Sequence, residues 1–96
     1  MADTIPDIKV SGAEWIDLYA VTGITVGNDL SIMNKSSRDV LIQETASQPL
    51  ASSDDGRILS RYNTMIHEIH MYNSPSGAWA KCSQDAYEAL INVQEG

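Results

Sequence analysis

The stretch GITVGNDLSIMNKSSRDVLIQET, Gly23 to Thr45, decides how the rest of the chain is read. Two short apolar segments, Leu30–Met33 and Val40–Ile42, flank a polar break at Asn34-Lys35-Ser36-Ser37-Arg38. Val40 and Ile42 are β-branched, and the break has the length of a short hairpin loop. The stretch therefore predicts a β-hairpin and an all-β protein.

Working outward, the same grammar recurs. Ile8 and Val10 alternate with Asp7 and Lys9 after Pro6, so residues 1–13 read as an extended N-terminal arm ahead of a single β domain over 14–96. Glu14–Val21 (EWIDLYAV) fits a strand closed by Thr22-Gly23, although Trp15, Ile16 and Tyr19 also line a helical face. Ile24–Val26 reads as a strand end before a turn at Gly27-Asn28-Asp29. Residues 46–56 are a polar loop that ends in Asp55-Gly56. Further strands are expected at Arg57–Ser60, Met65–Tyr72, Ala78–Ser83 and within Ala86–Gln94. About six to eight short strands with frequent turn signals describe a small antiparallel β-sandwich or barrel.

The chain has 96 residues, enough for one domain. A domain this small buries roughly 60–65% of the surface its unfolded chain exposes, so its stability margin is thin. Cys82 is the single cysteine, which excludes an internal disulfide. Association is the remaining common remedy, and a homo-oligomer is expected. Thirteen acidic against six basic residues give a formal charge of −7. That balance opposes binding to nucleic acid or to an anionic membrane and favours a basic surface as neighbour. The N-terminus lacks the basic and apolar regions of a secretory leader, and no run approaches the ~20 apolar residues of a membrane span.

No constellation of residues points to catalysis. His67 and His70 are three apart; on a strand they face opposite ways and cannot share an ion. Asp54-Asp55-Gly56 lacks the further oxygen ligands of a calcium loop. Cys82 has only Lys81 beside it, on the other strand face, and reads as a buried, inert thiol. The acids are interrupted by Lys35, Arg38 and Arg57, which argues against an acidic mimic of DNA. The expectation is a protein that is not an enzyme and needs no metal or cofactor. The aromatic residues are more telling: with no Phe in the chain, all six carry a polar group and suit interfaces. Trp15 reads as a core anchor. Trp79, Tyr62 and Tyr72 are candidate partner-binding residues, together with Ile5, Ile8 and Val10 of the arm, which could add a strand to a neighbour's sheet. A carbohydrate-binding module, with Trp79 and Tyr62 or Tyr72 stacking on sugar rings, is the alternative from another functional class.

From Trp15 onward the order of segments resembles small structural proteins of tailed bacteriophages. The segments are Trp15-Ile16-Asp17-Leu18-Tyr19, Thr22-Gly23-Ile24-Thr25-Val26-Gly27, Leu30-Ser31-Ile32-Met33-Asn34-Lys35 and Val40-Leu41-Ile42. Later come Gln48-Pro49, Asp55-Gly56, Gly77-Ala78-Trp79-Ala80 and Asn92-Val93-Gln94-Glu95. The Met- and His-rich stretch Arg61–Tyr72 departs from that pattern. The resemblance implies a virion component assembled in the host cytoplasm: a β-sandwich that decorates or cements the capsid exterior, as a trimer, against the major capsid protein. A place at the head–tail junction, against another virion protein, is the variant of the same reading.

Overall fold

The computed structural model describes residues 5–50, 52–53, 55–62, 67–84 and 87–96. Among them, eight strands and one short helix form two four-stranded antiparallel sheets. The strands are β1 (Ile8–Ser11), β2 (Ile16–Asp17), β3 (Leu30–Asn34), β4 (Val40–Gln43), β5 (Arg57–Leu59), β6 (Glu68–Met71), β7 (Trp79–Cys82) and β8 (Glu88–Glu95). One sheet has the order β1-β8-β3-β6 and the other β2-β7-β4-β5. First pairs with eighth, second with seventh, third with sixth and fourth with fifth, which is the strand order of a jelly roll. The all-β sandwich expected from the sequence is the fold observed.

Strict alternation fills the space between the sheets. Leu30, Ile32 and Asn34 of β3 point inward, as do Ala89, Ile91 and Val93 of β8. From the facing sheet come Val40 and Ile42 of β4, Leu59 of β5, and Ala80 and Cys82 of β7. The small side chains of β7 let β1 approach it across the interior. Cys82 is fully buried there.

Three expectations need correction. The stretch at 30–42 is not a hairpin: β3 pairs with β6 and β8, whereas β4 lies in the other sheet between β5 and β7. The intervening residues form an arch that carries the chain from sheet to sheet. Buried Asn34 holds the arch, its Nδ2 donating to Arg38 O at 2.7 Å and Leu59 O at 3.0 Å. Its Oδ1 accepts from Ser36 N and Ser36 Oγ. Second, there is no separate arm over residues 5–13. Ile8–Ser11 pairs with β8 from Ile8↔Ile91 to Ser11↔Glu88, and Val10 is completely buried. Ile5 continues along β8, exchanging hydrogen bonds with the Gln94 amide. An edge strand shows the same alternation as a free arm, so the sequence pattern did not separate the two; residues 1–4 lie outside the described set.

Third, Glu14–Val21 is strand only at Ile16–Asp17 and then becomes helix α1 (Leu18–Thr22). Asp17 caps the helix, accepting from Tyr19 N at 3.0 Å and Ala20 N at 3.2 Å. Gly23 ends it at φ 77°, its N–H donating to Tyr19 O. The helix buries Leu18 and Tyr19 between the sheets. Ile24–Val26, read as a strand end, is irregular. The expected strands at 57–60, 65–72, 78–83 and 86–94 are present as β5, β6, β7 and β8, each within or close to its expected range, with residues 65, 66 and 86 outside the described set.

Two outcomes are expected from these contacts. Asn34→Ala leaves the Arg38 and Leu59 carbonyls without their donor and should cost about 2–3 kcal/mol, read as a lower denaturant midpoint at unchanged slope. Tyr19 donates its hydroxyl to Asn28 O, and burial raises its phenol above the ordinary value of 10.0. The neutral phenol's stabilisation is therefore complete below about pH 10 and is lost as pH rises through the folded value. Tyr19→Phe should lose about 1 kcal/mol at neutral pH and show a flatter alkaline melting profile than the parent.

Candidate functional site

The jelly-roll order puts alternate connections at opposite ends. Of the described residues, one end gathers 12–15, 35–39, 60–62, 67, 83–84 and 87. Among the described residues these loops are tied by backbone: Gly12 N donates to Tyr87 O, Tyr62 N to Ser36 O and Ser83 N to Asp39 O, all at 2.9–3.0 Å. Asp39 Oδ1 also accepts from Arg61 N at 2.9 Å. On this frame stand two exposed tyrosines. The Arg38 guanidinium lies 3.5 Å from the centroid of the Tyr87 ring and donates to Gln84 Oε1. Tyr62 is 55% exposed and meets the His67 ring edge-to-face at 5.2 Å. Lys35 pairs with Asp7 nearby at 2.7 Å. That lysine, with the Asn92 amide, holds the Asp7 carboxyl below its ordinary value. Exposed Tyr beside Arg, on backbone fixed by hydrogen bonds, has the composition of a protein-binding surface.

The opposite end carries a cleft of about 500 Å³ at the sandwich edge where, among the described residues, β5 and β6 are both unpaired on their outer sides. Ile42, Ile69 and Met71 line it, with Glu44, Arg57 and Tyr72 around them. His70 lies beside these, its Nε2 3.1 Å from Glu68 Oε1. Tyr72 is 62% exposed. Directly after it, Asn73 and Ser74 adopt φ 67° and 55°, turning the chain toward buried Pro75.

The sequence-derived candidates separate in space. Tyr62 belongs to the loop end and Tyr72 to the cleft. Trp79 belongs to neither: it is half-buried on the outer face of the β7 sheet, its indole donating to Thr45 O at 2.9 Å. The aromatic platform that the carbohydrate reading expected of Trp79 with Tyr62 or Tyr72 is therefore not formed. Val10 is core, and Ile5 and Ile8 are half-buried against the core, so these three do not make a free docking arm. His67 is half-buried and His70 exposed, as strand alternation requires, and no cluster of metal-binding side chains occurs among the described residues.

Sequence reasoning missed Tyr87 as a surface group and missed Glu44, Arg57 and His70 as neighbours. It also missed the layer outside the β7 sheet. Lys81, only 1% exposed, donates from Nζ to Ser53 O and lies 5.5 Å from the Trp15 ring centroid. The Trp15 indole donates to Leu50 O, and Gln48 Nε2 to Trp15 O. These bonds fasten Gln48, Leu50 and Ser53 to the outer side of the sheet. Gly56 (φ 117°) and Gly77 fit where a side chain would strike the Ile42 and Thr45 carbonyls.

Comparison with known proteins finds no matching family model, no matching curated protein and no matching solved structure.

Because Ser74 holds a left-handed conformation without the freedom of glycine, Ser74→Gly should raise stability by about 1 kcal/mol. A calorimetric melting point higher by about 4–8 °C would register it.

Proposed function

We propose that this protein is a non-enzymatic structural component of a bacteriophage virion that attaches as an oligomer, a trimer by preference, to the exterior of the head. The supporting observation is the loop end of the roll, where Tyr62, Tyr87 and Arg38 stand on a hydrogen-bonded frame. Tyr and Arg are enriched among the few residues that dominate the energetics of protein interfaces. Two further facts agree with the reading. Eight-stranded jelly rolls serve as viral capsid domains, an analogy of fold alone. The net charge of −7 keeps the protein from adhering to nucleic acid while leaving it free to meet a basic shell. Several modest contacts joined in one oligomer would give tight attachment without any single strong one. A position at the head–tail junction is the nearest variant.

Light scattering of the purified protein, alone and mixed with emptied phage heads, tests the proposal. The expected result is an oligomer that co-migrates with the shell. Tyr62→Ala combined with Tyr87→Ala should weaken shell binding at least about tenfold while leaving the melting point near that of the parent. A monomer that leaves the shells bare would reject the reading, and binding to the tail junction alone would replace the head position.

A further inference from the structure

We infer that the cleft between the β5 and β6 edges is a binding site for a neutral oligosaccharide, separate from the loop end proposed to meet the shell. Its volume of about 500 Å³ lies in the range of small-ligand sites. Half-buried Ile69 supplies apolar surface beside the core residues Ile42 and Met71, and Tyr72, 62% exposed, stands at the cleft. Such a ring offers a flat face to the C–H side of a sugar, with a hydroxyl left over for hydrogen bonding.

The charged groups narrow the ligand class. Arg57 and Glu44 line the same cleft, both exposed, and neither makes a side-chain hydrogen bond or ion pair with a described residue. A guanidinium only donates and a carboxylate only accepts. A phosphate or carboxylate ligand would satisfy Arg57 but meet Glu44 and the acidic chain. A metal ion or an amine would satisfy Glu44 but meet Arg57. A hydroxyl donates and accepts, so a polyol serves both groups without net charge.

An extended peptide is the rival occupant of this edge. Among the described residues β6 pairs only with β3, and Asn34 N donates to His67 O. Antiparallel alternation then leaves the outward backbone groups at Glu68 and His70, where a strand could add. Such binding would depend on backbone rather than on the Tyr72 ring or the Arg57 guanidinium.

The test is an amide NMR titration of the full chain with maltotetraose, cellotetraose and chitotetraose in turn. At least one should give saturable shifts confined to residues 42–44, 56–57 and 69–72. Tyr72→Ala and Arg57→Ala, both at exposed positions, should each weaken that binding at least about tenfold, whereas Tyr62→Ala at the other end should bind like the parent. Melting curves matching the parent would show that both variants remain folded. The inference is overturned by an absence of shifts with all three sugars at ~10 mM, by shifts lying elsewhere, or by undiminished binding in both variants.

Discussion

The passage of the chain from one sheet to the other rests on one buried amide. A sandwich requires the chain to pass from sheet to sheet, and each passage strands backbone groups that no ladder can satisfy. At the β3–β4 passage Asn34 meets that need with both its donors and its acceptor: two carbonyls take its N–H groups, and Ser36 donates twice to its oxygen. One of those carbonyls belongs to Leu59, at the end of β5, so the amide joins the arch to the edge of the opposite sheet. An apolar side chain at this position would fill the space but leave the carbonyls dry and unpaired. With β3 and β4 in different sheets, β5 pairs with β4 and β6 with β3, each as the outer strand of its sheet.

Size explains the second unusual feature. A chain of 96 residues cannot build a deep interior between two sheets, and this one adds apolar burial outside the second sheet. Trp15 and Lys81 are buried there and bond to the Leu50 and Ser53 carbonyls, and Leu41 is buried as well. Burying an ammonium is expensive unless it keeps hydrogen bonds. Here the Ser53 carbonyl and the face of Trp15 receive it, so a long cationic side chain serves as both packing and fastener. Gly56 lies against β4 and lines the cleft.

Period-two alternation made most strands legible, because inward positions in β3, β7 and β8 are apolar or small without exception save Asn34. What alternation cannot encode is the partner. A five-residue polar break serves a hairpin or an arch equally well, and the deciding group, Asn34, looks like an ordinary turn residue until its burial is seen. Ile8–Ser11 has one pattern whether it swings free or zips onto β8. EWIDLYAV held both periods, and Asp17 resolved the conflict by capping the helix in mid-segment. The sites suffer more from this limit. Tyr62 and Tyr72 were recognisable as exposed aromatics, but Glu44, Arg57 and Tyr72 become neighbours only through two strand registers and a sheet-to-sheet contact.

The roll also separates the two surfaces by construction. β4 leaves the loop end at Val40 and reaches the cleft by Gln43; β6 begins beside His67 and ends at Met71, next to Tyr72. Four residues of strand span about 13 Å, enough to keep the loop platform and the cleft from sharing a ligand. Attachment through Tyr62 and Tyr87 would turn Tyr72 away from whatever the loops contact. The ladder makes that division rigid: β6 is held along its length by β3, which β8 holds from the other side. A surface fixed at one end of such a strand constrains the other end in orientation as well as in distance. In a repeating array of copies, clefts held this way would face outward with a common orientation, and weak individual affinity for a polymeric sugar would multiply with the number of copies presented.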